Sequence, residues 1–198
     1  MKSTSSEFPG FAHVYELDDP DHARAFRGTT ELLEVEPFAL TRGDFRPRKP
    51  LVFVHHMGGK VPTDIIWTGH VVIHLFADRV VELMRREGFT GWSTYPVEVR
   101  GKDGTVFPGY HGMSFPGRCG PIENARSTIV HEQMPGGVFP FHKGMFFDPD
   151  TWDGSDLFMP ASYVGVFVTE AVKQAFEKAK VKNVRFSRLD EIMRDVPR

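Results

Sequence analysis

Asp64-Ile65-Ile66-Trp67 is the stretch that decides the fold, because it returns further along the chain as Asp156-Leu157-Phe158-Met159. When the sequence is aligned with itself at this offset without a gap, Leu75-Phe76-Ala77-Asp78 falls on Phe167-Val168-Thr169-Glu170. Apolar positions continue to match through the segment that follows. Self-similarity of this kind reveals architecture that local propensity misses. The sequence therefore predicts two related units.

Each unit has the pattern of a strand, a helix, a turn and a second strand. In the first unit the strand is predicted at residues 71–75, and Asp78 is predicted to cap a helix that Gly88 ends. In the second unit the strand is predicted at residues 164–168, with Thr169 as the helix cap. Both helices carry an apolar stripe, which indicates that they pack against sheet.

Segments outside the helices read mainly as antiparallel strands. Residues 33–40 and 51–55 alternate or run apolar between breakers. Residues 94–100 form a predicted strand that turns through 101–104 into a return strand at 105–107. The glycines and prolines of residues 108–120 predict an irregular loop.

These patterns predict an α+β fold with a mostly antiparallel sheet. Two strand-helix-strand units, related by internal duplication, should pack their helices on that sheet. We expect one domain over residues 1–198, with the units at about 63–99 and 155–192.

Composition restricts the possible partners. The 198 residues carry a formal net charge of −2, which gives no general attraction to nucleic acid or anionic lipid. The sequence shows neither a secretory signal nor an apolar run that could cross a membrane. We therefore expect a cytoplasmic protein that binds neither nucleic acid nor membrane. Acidic residues concentrate in residues 1–40, as a surface for a basic partner or as a solvated face.

No catalytic pattern emerges from the sequence. Cys119 is the single cysteine, and no local signature brings a histidine to it. His70 and His74 are four residues apart but fall in a predicted strand, where their separation is too wide for a shared metal. We therefore predict no catalytic residue, no metal site and no cofactor.

Candidate binding residues come from the repeat and from an aromatic segment. Asp64 and Asp156 either bind a partner or cap a turn by accepting backbone N–H bonds. The aromatic residues between Phe139 and Phe158 form either a protein-binding surface or a core under a long loop. The predicted partner-binding residues are Asp64, Trp67, Asp148, Asp150, Trp152, Asp153, Asp156 and Phe158.

The second unit resembles a known family. Trp152-Asp153-Gly154-Ser155-Asp156-Leu157-Phe158, followed by Val166-Phe167-Val168-Thr169-Glu170-Ala171-Val172, looks like the myxobacterial-type immunity proteins of bacterial polymorphic toxin systems. The closing element, residues 181–186, has Asn183 where that family usually has Gly, and the first unit keeps the glycine as Gly91. The resemblance covers about residues 60–190, and residues 1–60 match weakly.

The resemblance implies an immunity protein that binds and neutralises a cognate toxin by stoichiometric contact, without being an enzyme. One alternative is a metal-dependent or Cys/His hydrolase that gathers His111, His131, His142 and Cys119 or Asp148 in one cleft. Another is a structural protein whose duplicated unit packs against copies of itself. The sequence leaves the oligomeric state open.

Overall fold

The computed structural model describes residues 7–21, 23–30, 36–70 and 73–196. The described residues form fifteen strands and three α-helices. The strands are β1 (Val14–Asp18), β2 (Arg27–Thr29), β3 (Leu51–Met57), β4 (Ile65–Thr68), β5 (His74–Ala77), β6 (Ser93–Arg100), β7 (Val106–Phe107), β8 (Tyr110–Ser114), β9 (Arg118–Cys119), β10 (Thr128–Met134), β11 (Gly137–Lys143), β12 (Leu157–Pro160), β13 (Val166–Thr169), β14 (Arg185–Arg188) and β15 (Met193–Asp195). The helices are α1 (Pro37–Arg42), α2 (Asp78–Arg86) and α3 (Glu170–Lys178).

The predicted fold class is wrong. The fold is mostly β, with 38% strand and 18% helix. Strands β3, β2, β4, β5, β8 and β6 follow one another side by side, and β3 also pairs with β6, so six strands close into a barrel. The β2–β4 and β3–β6 pairs are parallel. Hydrophobic periodicity identifies a strand but not its partner, so a barrel closed by distant parallel pairs is invisible to it.

A second sheet has the order β14-β1-β13-β12-β9, in which β12 and β9 are parallel. A third sheet has the order β10-β11-β15. Side chains on β4 and β5 alternate between two buried clusters: Ile66 and Leu75 belong to one, whereas Ile65 and Phe76 belong to the other. The second cluster also contains Phe176 of α3, so the barrel and the second sheet share a core.

The two segments that align in the sequence have the same elements at the same spacing. Strands β12 and β13 and helix α3 each begin and end 92 residues after β4, β5 and α2. Strand β8 lies beside β5 as β1 lies beside β13, and β6 and β14 continue each sheet in the same order. Each unit is therefore completed by a strand that lies outside the aligned segment.

The start of α3 after Thr169 was predicted at the observed position, whereas α2 begins one residue earlier than predicted. Neither predicted cap makes a side-chain hydrogen bond to its helix. Asp78 is instead the first residue of α2 and bonds to His111, and the Thr169 hydroxyl bonds to Asp156. Gly88 does follow the end of α2, with a φ of 74°. The strand predicted at residues 71–75 begins at His74, and Val71 and Val72 lie outside the described residues.

Two other predictions are wrong. Residues 37–42, part of which was predicted as strand, form α1, because Glu36 caps the N–H groups of Phe38 and Ala39 and Pro37 starts the helix. The remainder of that prediction, residues 33–35, lies outside the described residues. The loop predicted at residues 108–120 contains β8 and β9.

Gly112 has a steric role within β8. A Cβ atom at this position would lie 2.0 Å from Cε2 of Tyr95 on the neighbouring strand β6, so this glycine makes room for an aromatic ring. The prediction of β3 from residue 51 is confirmed, as is the hairpin of β6 and β7. In the described residues, no helix combines the length and apolar character needed to cross a membrane.

Candidate partner-binding site

Asp64 joins the two units. Its Oδ2 accepts the backbone N–H of Lys182 at 2.6 Å, and its carboxylate holds the Arg79 guanidinium through both oxygens. The same guanidinium donates to the carbonyl groups of Ala179 and Lys180, each at 3.2 Å. Because Asp64 is buried and fully engaged, its carboxylate fastens the turn of the second unit.

Asp156 makes the matching contact in the opposite direction. Its Oδ2 accepts the backbone N–H of Thr90 at 2.9 Å and the Thr90 hydroxyl at 3.0 Å. Thr90 and Lys182 are counterparts in the aligned units, so each aspartate closes the turn of the other unit. The alternative interpretation of the repeated aspartates, that each caps a turn by accepting a backbone N–H, is confirmed.

Two predicted aromatic contacts lie in the interior. The Trp67 indole is buried and donates from Nε1 to the carbonyl of Asn183 at 2.8 Å. Phe158 has no exposed surface, and its ring packs edge-on against Phe147 and Phe167. Both side chains contribute to packing within the fold.

The remaining predicted residues lie on a surface loop. Asp148, Asp150 and Asp153 are exposed. Asp148 accepts the N–H of Asp150 at 3.2 Å, and Asp153 accepts the N–H of Arg118 at 2.8 Å. The half-buried Trp152 donates from Nε1 to the Ser155 carbonyl at 3.0 Å. Of the predicted set, these three aspartates are the ones that face solvent.

The residues of the hydrolase alternative are distributed over different sheets. His111 lies on β8 of the barrel and contacts Asp78 at 2.6 Å, whereas His131 and His142 lie on β10 and β11 of the third sheet. Cys119 is buried, and burial raises the pKa of its thiol to about 12. Across the described ranges, no group of three or more His, Cys, Asp or Glu side chains could hold a metal ion.

Three of the acidic residues near the N-terminus form ion pairs, and Glu31 and Glu34 lie outside the described residues. Asp18 pairs with Arg185, and Asp19 and Asp21 both pair with Arg27. A basic partner would therefore meet a surface whose carboxylates are already partly neutralised. The expectation of an acidic N-terminal docking surface receives no support from these pairs.

The third sheet carries exposed apolar side chains. On one face lie Val130 and Met134 of β10 and Phe139 and Phe141 of β11, which we call the platform. Met134 is 45% exposed, and Val130, Phe139 and Phe141 are half-buried. The opposite face of the hairpin carries exposed Ile129 and Val138. Met134, Phe139, Phe141 and Asp195 are among the residues lining a hollow of about 620 Å³.

Carboxylates border the platform. Glu132 pairs across the sheet with Phe139, and Asp195 pairs with Phe141, so both project from the platform face. Lys143 is on the same face, at the opposite end of the hairpin from its turn. The part of the platform nearer the hairpin turn is therefore apolar, with carboxylates beside it on the same face.

Sequence reasoning located the aromatic part of this platform but missed the rest. Phe139 and Phe141 belong to the aromatic segment identified in the sequence, and Phe147 and Phe158 of the same segment form core. The Pro135-Gly136 turn signal, which separates residues 128–134 from residues 137–143, would have predicted a hairpin. Such a hairpin places Met134 and Glu132 beside Phe139.

Comparison with models of protein families gave no match for the chain, and comparison with curated proteins gave none either.

Proposed function

We propose that this chain is an immunity protein that binds and neutralises a cognate bacterial toxin by stoichiometric protein contact. The platform on the third sheet is the observation that carries the proposal, because a partly exposed apolar surface with a charged border suits a protein partner. The motif of residues 152–158 and 166–172, which resembles the myxobacterial-type immunity family, supports the same class. We further propose that the protein acts in the cytoplasm of the producing cell.

The chemistry of the platform indicates what the toxin presents. An apolar patch of the toxin would cover Met134, Phe139 and Phe141, and a lysine or arginine beside that patch would meet Glu132 or Asp195. Binding of this kind blocks a toxin surface and requires no reaction by the immunity protein itself. The exposed aspartates Asp148, Asp150 and Asp153 would extend the contact if the interface reaches their loop.

The test is co-purification and toxin inhibition with a toxin encoded beside the gene for this chain, using two lysine substitutions. Met134→Lys places a positive charge on the platform, and Val138→Lys places the same charge on the opposite face of the same hairpin. Both positions are exposed, at 45% and 59%, so neither change should affect folding.

We expect Met134→Lys to weaken toxin binding at least about tenfold, because it removes apolar contact and repels a basic partner. Val138→Lys should bind as the unchanged protein does. Equal binding by both variants would show that the platform is not the interface. Failure of the neighbouring gene product to form any complex would overturn the proposed function.

A further inference from the structure

Strand β10 is the open edge of the third sheet. In the order β10-β11-β15 it pairs with β11 on one side, and within the described residues no strand lies on its other side. It is seven residues long, and all of them except Val130 are exposed. A long exposed edge offers a row of unpaired backbone N–H and C=O groups to another chain.

The other sheet edges are short or charged. Strands β7 and β9 have two residues each, and β15 has three. Strand β14 has four residues and carries Arg185 and Arg188 at its ends. Strand β10 contains no lysine, arginine or proline, which are residues that discourage pairing at an edge. Among the edges that the structure describes, β10 therefore has the length and composition to accept a further strand.

The turn of the hairpin determines which backbone groups face this edge. Two residues separate Met134 from Gly137, so the Met134 carbonyl and the Gly137 N–H bond to each other across the turn. Bonding to β11 then alternates along β10. The N–H and C=O groups of Ile129, His131 and Gln133 therefore point to the open edge. None of these six groups has a hydrogen-bond partner in the part of the chain that the structure describes.

Glu132 gives this edge a charge. Its side chain projects from the platform face, between those of Val130 and Met134. Glu132 is exposed and forms no ion pair within the described residues, and residues 127–142 contain no lysine or arginine. On an added strand, the residue opposite Glu132 would lie close to it, because facing residues that do not bond to each other have Cα atoms about 4.5 Å apart. A lysine or arginine there would neutralise the carboxylate.

A second copy of β10 cannot supply that cation. Two antiparallel copies related by a two-fold axis place residues of the same face opposite one another. Positions 128, 130, 132 and 134 share the face of Glu132, and none of them holds a lysine or arginine. The charge on this edge therefore favours a strand from a different protein.

We propose that β10 binds an extended segment of a partner protein, which joins the third sheet as an antiparallel strand and presents a lysine or arginine opposite Glu132. The inference rests on the proposed function in taking the toxin as the source of that segment. Backbone bonds to residues 129, 131 and 133 hold the added strand, and apolar side chains beside Val130 and Met134 extend the platform. Antiparallel pairing is slightly more stable per residue than parallel pairing.

The probe is the peptide acetyl-Val-Thr-Lys-Thr-Val-Val-Thr-amide. When it pairs antiparallel with residues 134 to 128, its lysine lies opposite Glu132, and valines lie opposite Met134 and Val130. A second peptide has glutamate in place of the lysine. Titration of the whole chain, followed by the amide NMR shifts of residues 129–133, gives the affinity and locates the peptide.

N-methylation distinguishes edge pairing from contact between side chains alone. A methyl group on the amide of the fourth peptide residue, which faces His131, removes a donor and blocks the approach to β10. The same group on the fifth residue points away from β10. We expect binding to be lost with the first modified peptide and kept within about threefold with the second. Equal effects of the two methyl groups would overturn the proposal.

Charge exchange tests the role of Glu132. Glu132→Lys should weaken binding of the lysine peptide about fivefold and strengthen binding of the glutamate peptide by a similar factor. Val138→Lys places the same charge on the opposite face of the hairpin and should keep the preference for the lysine peptide. Both positions are exposed, so both variants should fold. A preference for the lysine peptide that survives in Glu132→Lys would contradict the assignment.

The remaining outcomes separate this inference from the proposed function. If no peptide gives saturable shifts at millimolar concentration while a toxin forms a complex, edge pairing is wrong and the immunity function stands. If the lysine peptide binds but no toxin forms a complex, the immunity function is wrong and the edge still binds strands. A mass that doubles with concentration, with shifts confined to residues 128–134, would show that a second copy occupies the edge and would overturn the inference.

Discussion

Lys182 donates its backbone N–H to Asp64 at 2.6 Å, across 118 residues of chain. The matching bond joins Thr90 to Asp156 at 2.9 Å. Each aspartate begins one unit and closes the turn that follows the helix of the other unit. The repeat is thus a pair of exchanged contacts as well as a pair of similar shapes.

Loss of the Asp64 charge should destabilise the protein. Asp64→Asn removes the ion pair with Arg79 and weakens the bond from Lys182 in a buried position. We expect the free energy of unfolding to fall by about 2 kcal/mol, measured by urea denaturation. Asp148→Asn, at an exposed position, should change it by less than about 0.5 kcal/mol. Equal effects of the two substitutions would contradict the fastening role of Asp64.

Alanine substitutions at Gly91 and Gly88 distinguish a steric clash from backbone strain. Both residues have positive φ, 82° and 74°, so alanine meets similar backbone strain at either position. A Cβ atom at residue 91 would lie 2.0 Å from the carbonyl oxygen of Leu157, whereas residue 88 has open space. We expect Gly91→Ala to abolish folding or to cost more than about 3 kcal/mol, and Gly88→Ala to cost about 1 kcal/mol. Thermal unfolding of the two variants side by side decides between these outcomes.

Replacement of Tyr95 by phenylalanine should stabilise the protein. Its hydroxyl is buried without a hydrogen-bond partner among the described residues, whereas the Tyr110 hydroxyl donates to the Thr63 carbonyl at 2.9 Å. Tyr95→Phe is therefore expected to raise the free energy of unfolding by about 1 kcal/mol, and Tyr110→Phe to lower it by about 1 kcal/mol. A loss of stability in Tyr95→Phe would indicate that its hydroxyl has a partner.

Glu16 and His74 should give opposite pH dependences of stability. In the folded protein the pKa of Glu16 is about 7, above the ordinary value of 4.5. The contribution of Glu16 to the free energy of unfolding therefore falls as pH rises between those values. Folded His74 has a pKa of about 4 instead of 6.5, so its contribution falls as pH drops through that window. The two effects oppose each other between pH 4.5 and 6.5.

Glu16→Gln removes the contribution of Glu16 to this pH dependence. As the pH rises from 5 to 8, the free energy of unfolding of the variant should increase by about 2 kcal/mol relative to that of the unchanged protein. The reason is that the glutamine side chain carries no charge to desolvate. Denaturant unfolding at both pH values gives this difference directly. Asp150→Asn serves as the control at an exposed carboxylate, and an equal gain in that variant would contradict the assignment to Glu16.

The repeat could be predicted from the sequence because both copies keep their apolar positions at a constant offset. Local signals were also sufficient for the β6–β7 hairpin, whose turn residues are short-range features. Closure of the barrel was not predictable in this way, since it depends on β3 lying parallel to β6. A strand pattern contains no information about a partner more than forty residues away.

In the candidate sites, too, local features could be predicted and contacts between distant segments could not. Phe139 and Phe141 belong to an aromatic segment that the sequence shows, but their common face with Glu132 and Asp195 follows from strand register. Glu16 gave no signal, because its partner Tyr163 is 147 residues distant and its burial arises only in the assembled fold. Trp67 and Phe158 were predicted to bind a partner, but both are buried. Large aromatic side chains fit core and interface patterns equally.

The exchanged aspartates bear on how the chain loses its structure. Because the turn of each unit is fastened by a carboxylate in the other, disorder in either half loosens both. The amides of Thr90 and Lys182 should therefore lose their protection against hydrogen exchange at the same denaturant concentration, as parts of one cooperative body.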